Sequence, residues 1–262
     1  MPIPAGHPLM RREARDGLAA ARPEHGSSAG GDSGAWRSGD FAGFKRDFPY
    51  RGRVLYEVLF DRHGEQIRTK KAKFAVSNLE KIFSATFKLS NQIGFQAMSL
   101  RQLSAETGIS MGGLYSCLAS KEDIAIMVKE LVQLVSDELI QASSAIADPG
   151  EALDATLRHH VFATHLLQPW FSFLYFETRS LPRPQQEASK RIELRVAQHL
   201  ATLVENGQRQ GRFRDDVPAF ALDALGSLIQ EGYLKPWKFR LRGIDVDAYA
   251  DEVVAVAHRL TT

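Results

Sequence analysis

Residues 99–124 read SLRQLSAETGISMGGLYSCLASKEDI and constrain the fold more than any other stretch of the chain. Ser99 is a helix cap, with Gln102 at the reciprocal capping-box position, and Leu100 and Leu103 give the helix that follows an inward face. Gly108 marks a tight turn, where a left-handed backbone costs least without a side chain. Ser110 caps a second helix carrying Leu114, Tyr115 and Leu118. Ser120 is the expected cap of a third, with Asp123 in its first turn. Two short helices joined by a three- to four-residue turn make a helix-turn-helix, a unit that sets its second helix in a DNA major groove.

The rest of the chain reads as helix. Residues 65–90 are expected to form one long helix with Phe74, Leu79, Ile82, Phe83, Thr86 and Phe87 on its buried face. Another is expected over 121–147, with Ile124, Met127, Val128, Leu131, Leu134, Val135 and Leu139 inside. Asp148-Pro149-Gly150-Glu151 combines a cap with a proline suited to a first helical position, so a new helix starts there. Further helices are expected at 150–167, 169–180, 184–206, 217–235 and 245–260, separated by Pro169, Pro182 with Pro184, Gly207 with Gly211, and Gly243. No segment alternates with the period of a strand, so the fold class is all-α. Residues 1–45, rich in Gly and Ser, read as a flexible tail. Residues 46–64 read as a short docking segment, in which aromatic and aliphatic residues return from Phe48 to Phe60.

Net charge is +2, but unevenly spread. Between residues 65 and 121, eight Lys and Arg face only Glu65, Glu80 and Glu106, whereas 122–262 carries a net −5. A basic helix-turn-helix on an acidic body is the footprint of a protein that presents one end to a polyanion. No apolar run reaches the length of a membrane span, Arg11, Arg12 and Arg15 precede no apolar core of a secretory leader, and one cysteine fits a reducing cytoplasm.

The run Gly112-Gly113-Leu114-Tyr115, followed by Ser120-Lys121-Glu122-Asp123-Ile124, resembles the DNA-binding motif of the TetR family of bacterial regulators. Members read roughly G-T-L-Y-x-H/Y-F-x-S-K-E-x-L there. Ile82-Phe83, Gly94-Phe95 and Ser99-Leu100-Arg101 resemble the family's first helix, its Gly-aromatic turn and its second helix. The likeness covers about fifty residues. It departs at Met111, where Lys is common, Gly113, where Thr is common, and Cys117, where His or Tyr is common. The resemblance implies a DNA-binding domain over 65–120, a larger ligand-binding and dimerisation domain over 121–262, and a homodimer that meets a pseudo-palindromic operator.

Candidate DNA contacts follow. Arg101 and Lys121 are placed for phosphates or a base edge. Tyr115 points a hydroxyl at a phosphate, its usual role by resemblance. Met111 and Ser116 are candidates for base edges, and Ser99 and Ser110 stand at helix starts. Gly112 and Gly113, costly in a helix, suggest close backbone approach to DNA or simply an easier turn. Lys70, Lys71 and Lys73 form a basic arm for phosphate contacts. Cys117 reads as a redox sensor or, more commonly, a small apolar filler.

A second constellation is LLQPWFSFLYFETRSL at 166–181, too aromatic for one ordinary helix face. Trp170, Phe173, Tyr175, Phe176 and Arg179 are the candidate ligand-binding residues of an apolar cavity, with Arg179 or Arg183 meeting an acid. The alternative is that the aromatics are core. Tyr175–Pro182 also resembles a segment of family members that sense acyl-CoA or lipid-like acids. His159, His160 and His165 lack the spacing of a metal site, and no cofactor or enzyme motif is present. The expected partners are operator DNA, a small apolar or amphipathic effector and a second copy of the chain. Two rival classes are an interaction protein tethered to DNA, with a closed C-terminal domain, and an enzyme acting on nucleic acid. The second would need convergent carboxylates that Glu65, Glu80 and Glu106 do not supply.

Overall fold

A computed structural model describes residues 39–69 and 71–262, all helical or irregular. The expected tail up to residue 38 and the candidate contact Lys70 lie outside the described residues. Helix α1 (Phe41–Asp47) starts where Asp40 Oδ1 accepts from the Gly43 N–H at 2.7 Å, and Phe44 is buried beneath it. Residues 41–45, expected in the tail, are helical instead: Phe44 and Phe48 bury enough apolar surface to hold the segment against the body. Helix α2 (Gly52–His63) follows and packs along α3 (Ala72–Ile93).

The long helix does not begin at Glu65. Ile67 is buried, and the Arg68 and Thr69 N–H groups donate to the Ser116 carbonyl at 2.8 and 3.3 Å instead of entering a helical ladder. Residues 65–69 are thus a linker tied across to the helix-turn-helix. Phe74, expected inside, is 60% exposed on the first turn of α3. Leu79, Ile82, Phe83 and Thr86 are buried as their spacing requires.

Helix α3 stops at Gly94, whose φ of +80° a side chain would disfavour. Helices α4 (Leu100–Thr107) and α5 (Met111–Tyr115) complete the three-helix unit. The body comprises α6 (Glu122–Ser144), α7 (Pro149–Leu166), α8 (Gln168–Glu177), α9 (Arg183–Arg209), α10 (Ala219–Leu234), α11 (Pro236–Leu241) and α12 (Val246–Thr261). Asp148 Oδ1 accepts from the Glu151 N–H at 2.9 Å with Pro149 in the first turn, the start that the sequence specifies. Helix α7 is central, packed against α1, α6, α9, α10 and α12. Helix α9 runs through Gly207, an expected break, because Phe213 folds back over it: a Cβ there would meet the Phe213 ring at 2.1 Å. Helix α11 has no counterpart in the sequence reading. One continuous core runs from Phe44 to Ala257 without a gap between 120 and 121. None of the described helices is long and apolar enough to cross a membrane.

Candidate nucleic-acid interface and effector cavity

The helix-turn-helix is built as its caps dictate. Ser99 Oγ accepts from the Gln102 N–H at 3.2 Å and the Gln102 side chain accepts from the Ser99 N–H at 2.9 Å, closing a capping box. Gly108 takes φ +69°, and Ser110 Oγ accepts from the Gly113 N–H at 3.2 Å. Leu103, Ile109 and Leu114 are buried, which fixes the crossing of α4 and α5. The outer surface then holds Arg101, Gly112 and Tyr115, the last 47% exposed, with Met111 partly buried at the start of α5. Arg68, Lys71, Lys73 and Arg101 are exposed, with no side-chain hydrogen bond or ion pair among the described residues.

The paired glycines separate. A Cβ on Gly112 would meet nothing within 4 Å, so no internal contact requires a glycine there. A Cβ on Gly113 would lie 2.7 Å from Ile109 Cγ2 and 3.3 Å from Ser110 Oγ, which gives Gly113 a packing reason inside the turn. Only Gly112 keeps the signal of close approach from outside.

Two expected contacts have other tasks. Lys121 Nζ donates to the carbonyls of Phe95, Gln96 and Met98 at 3.0, 2.9 and 3.1 Å and lies 5.0 Å from the Phe95 ring centre. An ammonium has three donors, and all three staple the α3–α4 turn to the start of α6. Ser116 Oγ donates to the Gly113 carbonyl at 2.6 Å and accepts from Thr69 Oγ1 at 2.7 Å, so it anchors the incoming basic linker instead of facing a base. Ser120 does not cap α6. Asp123 reaches back instead, accepting from the Ala119 and Ser120 N–H groups at 2.7 and 3.0 Å. Cys117 is buried with its Sγ 3.8 Å from Asn78 Nδ2, the apolar filler of the two readings.

The aromatic run on α8 is divided between its two faces. Trp170 is 4% exposed, and its ring lies 4.7 Å from Phe83 and 5.0 Å from Phe87, both on α3. Phe173 stands edge-on to Phe87 and Phe95 at 5.8 and 5.0 Å. Glu177 accepts from the Phe95 N–H at 3.1 Å. Trp170 and Phe173 are therefore packed against the helix-turn-helix unit and do not line the cavity to which the sequence reading assigned them; Phe176 lies exposed against Tyr175. The opposite face, with Phe171, Leu174 and Tyr175, joins Arg179 on the wall of an open cavity of about 640 Å³ lined by α6, α7, α8, α9 and α10. Arg183 is not on that wall.

The cavity also contains groups that pattern reading missed. His160 and Thr164 from α7, Ser136 from α6, and Lys190 and Glu193 from α9 line it. Burial, against a hydrogen bond to the Thr156 carbonyl, lowers the His160 pKa from 6.5 to about 4, so its imidazole is neutral. Burial likewise raises the Glu193 pKa above the ordinary carboxylate value. A buried Ser143–His199 pair, 2.8 Å apart, is not an activated nucleophile: Ser143 Oγ also donates to the Leu139 carbonyl, and no carboxylate is hydrogen-bonded to His199 among the described residues. No group of three His, Cys, Asp or Glu suited to a metal occurs among the described residues.

The N-terminal helices add contacts that no local pattern announces. The Tyr50 hydroxyl donates to Glu138, and His63 Nε2 lies 3.2 Å from Glu130 Oε2, joining α2 and the segment before it to α6. The close approach of His63 holds the Glu130 carboxyl below its ordinary value. The Phe41 N–H donates to Asp247 Oδ1 of α12 at 2.7 Å.

No protein-family model and no curated protein sequence matches the chain. Solved structures do. PfmR, a TetR family transcriptional regulator from Thermus thermophilus, is 24% identical, with 66% of this chain and 97% of that one covered and a TM-score of 0.57. KstR2, a ketosteroid transcriptional regulator of Mycobacterium tuberculosis, is 20% identical over 71% of this chain and 95% of its own, with a TM-score of 0.57. FadR from Bacillus subtilis, solved in complex with stearoyl-CoA, is 18% identical over 68% and 96%, with a TM-score of 0.52. The all-helical architecture, with a capped helix-turn-helix packed on a larger helical body, is the fold of the TetR-family transcription regulators.

Proposed function

We propose that the protein is a transcription regulator that binds operator DNA as a homodimer and releases it on taking up a small apolar or amphipathic effector. The observation that carries this reading is the position of α8, with Trp170, Phe173 and Glu177 against the helix-turn-helix and Phe171, Leu174 and Tyr175 on the cavity. A molecule that fits the cavity better in one position of α8 than another shifts the Gly94–Met98 turn with it. Only that difference in affinity can change the population of DNA-competent dimers.

Arg101, Tyr115, Gly112, Met111, Lys71 and Lys73 are the proposed DNA contacts, with Arg68 added from the linker. Ser116 and Lys121 position them. The dimer surface is proposed on α10 and α11, where Phe220, Trp237 and Leu241 are exposed. The stripe of Val253, Val254 and Ala257 on α12 is consumed within the chain. A lipid-like acid or acyl-CoA is the favoured effector class, supported by the stearoyl-CoA of the FadR complex and by the apolar wall. The cavity weighs against a closed body that serves only a protein partner. Electrophoretic mobility shifts with DNA from upstream of the protein's own reading frame test the proposal, with release by a long-chain acyl-CoA as the second step.

A further inference from the structure

The polar part of the cavity wall has an uneven hydrogen-bonding character. His160 Nδ1 lies 2.8 Å from the Thr156 carbonyl one turn back on α7. A carbonyl can only accept, so Nδ1 carries the hydrogen and Nε2 of the neutral ring is a lone-pair acceptor. That Nε2 has no hydrogen-bond partner among the described residues, and the residue is 4% exposed and part of the cavity wall. Three hydroxyls of the wall spend their hydrogens on backbone carbonyls of their own helices. Thr164 donates to the His160 carbonyl at 2.8 Å, Ser189 to that of Gln185 at 3.0 Å and Ser227 to that of Asp223 at 2.9 Å. A buried acceptor left unmatched costs on the order of 1–3 kcal/mol, so a ligand that supplies the hydrogen gains what one without it forfeits.

We infer that the effector carries a hydroxyl or amide N–H that donates to His160 Nε2, on an otherwise apolar body that fills the rest of the cavity. This rests on the reading of the cavity as the effector site. It narrows the effector class: an apolar chain without a donor is discriminated against, even where it fills the same volume. The wall's charges do not select a sign by themselves, since Arg179 and Lys190 are matched by Glu193 and Asp223. His160 therefore acts as a specificity-determining residue, reading a donor and not a charge.

The test compares 1-decanol with 1-methoxydecane, which has nearly the same apolar length and accepts hydrogen bonds but cannot donate one. Binding to the full-length dimer is measured by calorimetry. The expected result is about tenfold tighter binding of the alcohol, a preference that falls to near unity in His160→Phe. Should that variant fail to fold, the wild-type protein labelled with ¹⁵N-histidine gives the same answer. The His160 Nε2 resonance moves on adding the alcohol and stays in place with the ether. Equal affinities and no resonance shift, with both compounds bound, overturn the assignment of His160 and leave the cavity as the effector site. Binding of neither compound to the folded dimer overturns the cavity reading and this inference with it.

Discussion

Arg101 and Lys121 belong to the same basic region and differ in what their nitrogens already hold. Lys121 gives all three hydrogens to the carbonyls of residues 95, 96 and 98, so Lys121→Ala is expected to destabilise the fold by about 1–3 kcal/mol in urea unfolding. Arg101 is exposed without an internal partner, and Arg101→Ala is expected to lower DNA affinity with its unfolding midpoint unchanged. The adjacent glycines divide in the same way. Gly112→Ala has open space and gains up to about 1 kcal/mol of helix propensity, and its cost appears only in DNA affinity. Gly113→Ala drives a Cβ into buried Ile109 and is expected to cost about 1–3 kcal/mol of stability, read from thermal unfolding. His160 sets a pH dependence. Its imidazole takes a proton near 6.5 in the unfolded chain and only near 4 in the folded one. Between those values the unfolded state binds more protons. Stability is therefore full above about pH 6.5, declines as pH falls towards 4 and levels off below, by about 3 kcal/mol in all. Urea unfolding across pH 7 to 4 checks this: the slope is expected to become shallower in His160→Phe, with His165 and His199, whose pKa values burial also lowers, supplying a remainder of the same sign.

At the scale of the element, α8 carries the consequence. Trp170 fills the junction with Phe83 and Phe87, so Trp170→Ala is expected to cost about 3–5 kcal/mol and weaken DNA binding through loss of structure. Tyr175→Ala, on the half-exposed cavity face, is expected to leave stability within about 0.5 kcal/mol and change effector binding alone. Denaturant midpoints beside ligand titrations separate the two. The run's density announced a helix buried on more than one side. Which aromatic faces which neighbour depends on Phe83, Phe87 and Phe95, some eighty residues away, and no local period encodes that. The helix starts were legible because a cap is a local event: Ser99 with Gln102, Ser110 and Asp148 each make the hydrogen bond that their spacing implies. The start of α3 was not, because Ser116 draws the Arg68 and Thr69 N–H groups out of a helical ladder from across the fold. Gly207 misled for the same reason, since its missing side chain makes room for Phe213 and does not break a helix.

At the scale of the molecule, the charge separation read from sequence keeps its geometric meaning. Exposed Arg68, Lys71, Lys73 and Arg101 lie on or next to the helix-turn-helix, and the acids are concentrated in the body. Lys88 is removed from the free basic set by its 2.6 Å pair with Glu106. The N-terminal helices α1 and α2 brace α3 against α6 and α7, so the helix-turn-helix unit is held by contacts from both sides in sequence. The central claim is that this basic face reads an operator. Fluorescence anisotropy with a labelled duplex from upstream of the protein's own reading frame, against a scrambled duplex of equal length, tests it most directly. The expected result is tighter binding to the native sequence, lost in Arg101→Ala, and an affinity that drops steeply from about 50 to 200 mM salt as counterions are released. Equal affinity for both duplexes by the folded protein, or affinity indifferent to salt, would contradict it.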